Sequence, residues 1–351
     1  MTAAVLAPPP APAPERPSPS LGPRRAVGLV VLLAALVAAM AASLAFGANP
    51  LPFGAVRDGL LTKDGTEASL IVWDLRIPRT IAGLAVGAAF GVAGALVQAL
   101  TRNPLADPGI LGVNAGAGFA VTLGVGIFGV ASVSGYVWFA FVGAAFATGL
   151  VYLIGAAGGG GASPITLVLA GVALAAVLGG VQQFLTLIDP TTFDRLRSWG
   201  VGSIDSTSLD DTLAVLPFLA VGLLVALALS GALNAVALGD DLATSLGTNI
   251  LRTRVLGIVA VTLLAGGGTA LTGGIGFVGL MVPHVVRWFT GPDQRWVIAY
   301  SAVAAPVLVL VADVVGRVLG RPGEIQVGIV TAVIGAPVLI ALVRRQKASG
   351  L

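Results

Sequence analysis

Residues 108–188 read PGILGVNAGAGFAVTLGVGIFGVASVSGYVWFAFVGAAFATGLVYLIGAAGGGGASPITLVLAGVALAAVLGGVQQFLTLI, and none of these 81 residues is Asp, Glu, Lys or Arg. As one helix this stretch would be about 120 Å long, which is about four times the thickness of a bilayer core. It must therefore fold back on itself. Turn-forming residues concentrate at 129–135 and in the glycine-rich segment 155–164. We therefore predict three membrane-spanning helices within this stretch.

The rest of the chain has the same character. Of 351 residues, 56% are hydrophobic and only 10% are charged, whereas a soluble domain has about 25% charged residues. An ordinary soluble enzyme is therefore excluded. Each spanning helix needs about 20 apolar residues, and the other uncharged runs are 26–56, 80–101, 212–239, 255–286, 296–312 and 325–343. The run 255–286 suits one long helix or two short ones, so we predict an all-α polytopic membrane protein of nine or ten helices.

The two ends of the chain differ from its middle. Residues 1–23 are rich in proline and predict a disordered cytoplasmic tail. The membrane domain is predicted over 24–347, followed by a short tail at 348–351. Ten crossings place both termini in the cytoplasm with 11 basic residues inside and eight outside, which is a weak form of the positive-inside bias. External arginines oppose that bias, which suggests that they have a role other than setting the topology.

Several kinds of chemistry are excluded by what the sequence lacks. It contains no cysteine and a single histidine, His284, so neither a thiolate nucleophile nor a zinc site is expected. We interpret His284 as a buried, hydrogen-bonded side chain. The only lysines, Lys63 and Lys347, lie outside any phosphate-binding loop motif, so the chain is not an ATPase of that class. The net charge of +3 is spread along the sequence and does not indicate nucleic-acid binding.

Charged residues near the predicted helix ends suggest two specific roles. Arg76 and Arg79 lie on either side of Pro78, which favours a first helical turn. Two guanidiniums held there could bind carboxylates of an external partner, although headgroup contacts or local salt bridges explain them equally well. Asp313 and Arg317 are four residues apart and share a helix face. Because a buried acid needs a partner, we predict an ion pair between them.

Two cytoplasmic segments are predicted to lie between spanning helices. Residues 239–247, GDDLATSLG, begin with paired aspartates that suit a helix N-terminus and end with a glycine that suits a C-cap. We predict a short helix that is either an interfacial linker or a docking helix for a cytoplasmic subunit. Residues 102–109, RNPLADPG, contain two prolines and a glycine. They predict a tight turn without chemistry of its own.

Four strings occur in one order: LRIPR at 75–79, NPLADPGILG at 103–112, GFVGLMVPH at 276–284 and VGIVTA at 327–332. Together they closely resemble the permease subunits of ABC importers for ferric siderophores, haem and cobalamin. The resemblance covers about residues 27 to 345. It implies ten transmembrane helices per subunit, two of them within 255–286, in the plasma membrane of a bacterium.

The resemblance also implies partners and sites. The partners are a second permease subunit, identical or homologous, two ATP-binding subunits that use ATP and Mg²⁺, and an external substrate-binding protein. Acidic residues of that protein would dock on Arg76, Arg79 and Arg317. Coupling to the ATPase would fall to Gly239, Asp240, Asp241, Leu242, Ser245, Leu246 and Gly247. The fifth helix, about 165–187, and the loop before it would provide pathway or gate residues at Ser163, Pro164, Gln182, Gln183 and Thr186. The four glycines at 158–161 depart from the family pattern, so the resemblance does not fix the gate residues.

An alternative class is an ion-coupled secondary transporter, which would need a buried acid as a coupling site. Asp313 is the one suitable candidate, and Arg317 is placed to neutralise it. An integral-membrane enzyme fits less well, because no pair of catalytic groups is predicted to face each other within the membrane. The importer permease is therefore the preferred interpretation, with membrane lipid as its surroundings.

Overall fold

The computed structural model describes residues 21–130, 132–157, 164–189, 197, 199–205 and 207–348. All regular structure in these ranges is helical. The first helix begins at Leu21, so all but the end of the predicted tail lies outside the described residues. The last residues of the predicted C-terminal tail, 349–351, also lie outside them.

Fourteen α-helices are described. In chain order they are α1 Leu21–Ala45, α2 Phe53–Leu61, α3 Glu67–Leu70, α4 Ile77–Thr101, α5 Val113–Gly126, α6 Val133–Ala156, α7 Pro164–Ile188, α8 Leu209–Ala237, α9 Asp240–Ser245, α10 Ile250–Val261, α11 Gly267–Thr272, α12 Val278–Thr290, α13 Gln294–Leu319 and α14 Val327–Ala348. π-Helical turns at Ile71–Arg76 and Thr262–Gly266 join α3 to α4 and α10 to α11. Each of these pairs forms one continuous helix.

Within the described ranges, seven helical stretches are long and apolar enough to cross a membrane: α1, α3–α4, α6, α7, α8, α10–α11 and α13. Shorter apolar segments are α5 and the part Val327–Ala341 of α14, and α12 has 13 residues. Counted with these three, the described part of the chain contains ten bundle helices, which agrees with the predicted number. The run 108–188 contains three of them, as predicted, and the run 255–286 is divided between two.

The helix α4 lies at the centre of the bundle and packs against α8, α12 and α13. Glycines on one face of α4 allow α13 to come very close. A Cβ atom on Gly87 would lie 2.6 Å from the Cα of Pro306, and one on Gly91 would lie 2.5 Å from the Cβ of Ala305. Small residues permit such backbone contact between membrane helices. At the outer end of α4, Arg79 is thereby held against Asp313 of α13.

The helix that carries Pro78 begins earlier than the sequence predicts. It starts at Glu67, where the Thr66 hydroxyl accepts a hydrogen bond from the backbone N–H of Ser69 at 3.3 Å. It then passes through the π-helical turn Ile71–Arg76 before reaching Pro78. The π-helical turn ends two residues before Pro78, which has no backbone N–H to donate. It changes the hydrogen-bond register of the helix at this point, and the chain stays helical through the proline.

Candidate functional site

We call the end of the bundle where α1 begins the cytoplasmic end and the opposite end the outer end, following the predicted topology. At the outer end, Arg76 holds the last turn of α1. Its Nη1 donates hydrogen bonds to the carbonyl oxygens of Leu44 at 2.6 Å and Ala45 at 2.8 Å, and its Nη2 donates to Asn49 O at 2.9 Å. The last carbonyls of a helix lack partners within it. Arg76 thus acts as a C-terminal cap supplied by another helix.

Asp313 lies between two guanidinium groups near the outer ends of α4 and α13. Its Oδ1 accepts hydrogen bonds from Nε of Arg79 at 2.9 Å and from Nη2 of Arg79 at 2.6 Å. Its Oδ2 lies 2.7 Å from Nη2 of Arg317, so the predicted pair of Asp313 and Arg317 is present in the structure. The second cation, Arg79, was not expected from the sequence.

The two arginines also contact other residues. Arg317 donates to Ser43 O at 3.1 Å and to Phe46 O at 3.0 Å, so it fixes the end of α1 as Arg76 does. Nη1 of Arg79 donates to Oε2 of Glu324 at 2.6 Å. The Glu324 side chain is 30% exposed, whereas that of Asp313 is 1% exposed. Glu324 is therefore the member of this network that solvent or a partner reaches most easily.

Arg76, Arg79 and Arg317 line one crevice of about 300 Å³ at the outer end, together with Glu324 and Asp205. The structure thus brings together three residues that are far apart in sequence. They do not project as free cations, because Arg76 is 3%, Arg79 9% and Arg317 2% exposed. Their role in docking a binding protein stays a prediction. The guanidiniums of Arg79 and Arg317 pair with carboxylates, whereas that of Arg76 binds backbone carbonyls, so all three already bind oxygen atoms of the same chain.

At the cytoplasmic end, the segment 239–247 contains the short helix α9. Its flanking glycines both have positive φ, 111° at Gly239 and 81° at Gly247, which side chains larger than hydrogen rarely permit. Asp240 anchors the segment, because its carboxylate pairs with Arg102 and its Oδ2 lies 2.8 Å from Nη2 of Arg254. The residue Arg102 belongs to the turn that was predicted to have no chemistry of its own, so that interpretation was incomplete.

On the opposite side of α9, two leucines are exposed within the described part of the chain. Leu242 is 49% exposed, and Leu246, the residue that follows α9, is 62% exposed. The backbone N–H of Leu246 donates to Leu242 O at 3.0 Å, so the two leucines lie one turn apart on the same side. Ala243 is fully buried beneath the helix. The exposed Ser245 donates its hydroxyl hydrogen to Asp241 O at 2.9 Å. The segment is thus anchored by a charge on one side and offers two leucines on the other.

The predicted pathway residues do not share one face of α7. Gln182 is half-buried against α5, where a Cβ on Gly118 would meet its Oε1 at 2.8 Å. Gln183 is exposed, because consecutive helical residues point about 100° apart. The Thr186 hydroxyl donates to backbone carbonyls of its own helix, at 2.9 Å to that of Gln183. Pro164 is the first residue of α7, and Ser163 lies outside the described residues.

His284 is buried on α12, 7% exposed, with its ring 6.0 Å from that of Trp288. Among the residues that the structure describes, no group of three His, Cys, Asp or Glu side chains could hold a metal ion.

Comparison with known proteins identifies the family. Residues 35–345 match the model of the FecCD transport family. The chain belongs to the FecCD transport family. It is 48% identical to the ferric enterobactin transport system permease protein FepD of Escherichia coli strain K12 over 334 residues, covering 95% of this chain and 99% of FepD. It is also 38% identical to the Fe(3+)-citrate import system permease protein YfmD of Bacillus subtilis strain 168, covering 92% of this chain and 96% of that protein.

A solved structure agrees with this assignment. A metal-chelate type ABC transporter in an inward-facing conformation superimposes with a TM-score of 0.81 and 27% identity, over 91% of this chain and 99% of that one. A more distant relative, the cobalamin import system permease protein BtuC of Halobacterium salinarum, is 35% identical over 87% of this chain and 79% of its own length. The fold and function class read from the sequence, a helical permease of an ABC importer, are confirmed.

Some contacts in this FecCD permease were not anticipated from its sequence. At the cytoplasmic end, Arg25 donates to Thr290 O from Nη2 at 2.6 Å and from Nε at 3.0 Å. Its guanidinium lies 5.5 Å from the ring centre of Trp296. These contacts tie the start of α1 to the connection between α12 and α13. The basic residues before the first apolar run were interpreted as topology signals, and no sequence spacing indicated their partners.

Proposed function

We propose that this chain forms the transmembrane pathway of an ATP-driven importer for ferric siderophores in a bacterial plasma membrane. One observation carries the proposal: nearly the whole chain aligns with nearly the whole of FepD at 48% identity. Ferric enterobactin, the chelate for which that relative is named, is the first to test. The chain would supply no catalytic residue and no cofactor site. Hydrolysis of ATP with Mg²⁺ would take place in two partner subunits.

The cytoplasmic segment 239–247 is the proposed contact with the ATPase. Leu242 and Leu246 are exposed on one face of α9, and covering a pair of exposed leucines would favour association. Asp240 links α9 to Arg102 at the end of α4 and to Arg254 on α10. A displacement of α9 would therefore be transmitted through Asp240 and Arg102 to α4, the central helix of the bundle. This connection supports a role in coupling nucleotide-driven motion to the pathway.

The outer crevice is the proposed docking site for a substrate-binding protein. It contains Arg76, Arg79 and Arg317, but Arg76 and Arg317 hold the end of α1. Arg79 is different, because its Nη1 contacts the partly exposed Glu324. We propose that a carboxylate of the binding protein competes with Glu324 for this guanidinium. Docking would then exchange one ion pair for another without leaving a buried charge unpaired.

The exposed face of α7 is the proposed contact with a second permease subunit across the pathway. The helix α7 packs on α5 and α6, and Ala173, Ala176, Gly180 and Gln183 are exposed on its other side. Small residues permit close helix contact in membranes, and a polar side chain at membrane depth needs a partner or a water-filled cavity. With ten membrane crossings, both termini of the chain would lie in the cytoplasm.

The function is tested in cells that lack a ferric enterobactin permease and carry the cognate ATPase and binding protein. Under iron limitation, expression of this chain should restore growth on ferric enterobactin, while a variant with Leu246→Arg and Ser245→Arg should not. Growth restored by ferric citrate but not by ferric enterobactin would reassign the chelate. Failure with every ferric chelate, with the protein present in the membrane, would overturn the proposal.

A further inference from the structure

A second polar pocket lies at the cytoplasmic end, away from the outer crevice and from the exposed leucines of α9. Its volume is about 240 Å³, and it is formed where α4, α8 and α12 end and α13 begins. The side chains that give it its chemistry are Gln98, Arg102, Arg287 and Gln294. None of the four belongs to the outer crevice or to the segment 239–247, and Arg102 alone contacts that segment, through its ion pair with Asp240.

The pocket contains a cation that no carboxylate neutralises. Arg287 is half-buried, and none of the ion pairs in the described part of the chain includes it. Its Nη1 donates to Oε1 of Gln98, and Gln98 is itself held by a bond from Nε2 to Leu280 O at 2.9 Å. A half-buried guanidinium with only a neutral partner is expensive to maintain. An anion in the pocket would remove that cost.

The pocket also contains an acceptor without a donor. Gln294 is 5% exposed, and its Oε1 has no hydrogen-bond partner among the residues that the structure describes. Buried polar atoms are normally hydrogen-bonded, so an occupant of this pocket should bring an O–H or N–H group as well as negative charge. A phosphate diester beside a hydroxylated headgroup, as in phosphatidylglycerol, has both. The guanidinium fork suits phosphate oxygens.

The surroundings place the pocket at the membrane surface. Three apolar side chains that are next in sequence to lining residues are exposed: 38% for Leu105, 61% for Leu238 and 55% for Trp288. Exposed tryptophan beside a basic site is typical of the headgroup layer, and basic pockets between helices on the cytoplasmic side bind anionic headgroups. We propose that the pocket formed by Gln98, Arg102, Arg287 and Gln294 binds the phosphate and hydroxyl groups of an anionic phospholipid of the cytoplasmic leaflet.

The test is a titration of the purified full-length permease with dioctanoyl phosphatidylglycerol or dioctanoyl phosphatidylcholine, followed by native mass spectrometry. The wild type should bind the anionic lipid at least about tenfold more tightly. Arg287→Gln should remove that preference, and Arg287→Lys, which keeps the charge but loses the fork, should retain part of it. Arg24→Gln, which removes an exposed cytoplasmic arginine, is the matched control and should retain all of it. Thermal unfolding is measured for each variant to check that it is folded.

Three results would overturn the proposal. The first is equal binding of the two lipids by the wild type. The second is an unchanged preference in a folded Arg287→Gln protein. The third is displacement of the lipid by millimolar inorganic phosphate, which would identify a site for a free anion rather than for a lipid.

Discussion

Arg79 and Asp313 are 234 residues apart in sequence, and two hydrogen bonds of 2.9 and 2.6 Å join the guanidinium of one to a single carboxylate oxygen of the other. Asp313 also pairs with Arg317 at 2.7 Å. Asp313 therefore serves two cations beneath the outer surface, and one of them, Arg79, also pairs with Glu324. Removing one partner from a buried network leaves the others uncompensated, so the arrangement is sensitive to single substitutions.

The first prediction concerns stability. Asp313→Asn should lower the free energy of unfolding by about 3–5 kcal/mol, because buried Arg317 would lose its counterion and Arg79 would keep only the partly exposed Glu324. Thermal unfolding in detergent measures the effect. The matched control is Asp58→Asn, which breaks an ion pair with Arg57 whose side chains are 74% and 63% exposed. That change should cost less than about 1 kcal/mol. Equal losses in the two variants would contradict the network's importance.

The second prediction concerns docking at the outer crevice. Glu324→Gln should strengthen binding of the substrate-binding protein about threefold to tenfold, because Nη1 of Arg79 would lose its charged partner within the chain while Asp313 still holds Nε and Nη2. A titration of binding protein onto the reconstituted permease measures this at low and high salt, and the gain should shrink as salt rises. Glu67→Gln is the control, since Glu67 is exposed on the outer side and outside the crevice. Weaker binding in Glu324→Gln would mean that Glu324 itself contacts the partner.

The third prediction separates two neighbouring aspartates of α9. Asp240→Asn should lower the amount of chelate transported per ATP hydrolysed, because it releases the segment from Arg102 and Arg254. Asp241→Asn should leave that ratio close to wild type, since Asp241 takes part in no ion pair within the described residues. Uptake and phosphate release are measured in the same vesicles. An identical ratio in both variants would reduce the segment to a passive linker.

The fourth prediction concerns pH. Burial raises the pKa of the Asp107 carboxyl, although the N–H of Gly109 donates to it at 2.8 Å. The folded protein then holds this proton at higher pH than the unfolded chain does. Stability should fall as pH rises from about 3.9, the unfolded value, through the raised folded pKa.

Asp107→Asn keeps the acceptor for the Gly109 N–H and removes the charge. It should raise the melting temperature at pH 7 and flatten its dependence on pH from 4 upward. Asp64→Asn is an opposite-sign control, because hydrogen bonds from Thr66 lower the pKa of Asp64 against a weaker opposing effect of burial. That carboxylate stabilises the folded state above the unfolded pKa, and its contribution is lost as pH falls. A melting temperature that Asp107→Asn lowers at pH 7 would count against a buried, destabilising charge.

Most of the helical framework could be predicted from the sequence, because charge-free runs and glycine-rich turns are local signals. The three helices of 108–188 are examples. The pair of Asp313 with Arg317 could also be predicted, because residues four apart share one helix face. Contacts between distant segments have no such signal. Nothing in the spacing of Arg79 relates it to Asp313 or Glu324, and the turn 102–109 gives no indication that Arg102 reaches Asp240. The continuation of helix ahead of Pro78 was missed because a proline normally marks a first turn, and a π-helical turn overrides that rule here.

The central claim is that this chain works as the permease of an ATP-driven importer. The most direct measurement is uptake of ⁵⁵Fe-labelled ferric enterobactin by vesicles containing the chain with its ATPase and binding protein. Uptake should require both ATP and the binding protein and should persist when proton and sodium gradients are collapsed. Uptake that proceeds without ATP and stops when an ion gradient is removed would contradict it and identify a secondary transporter.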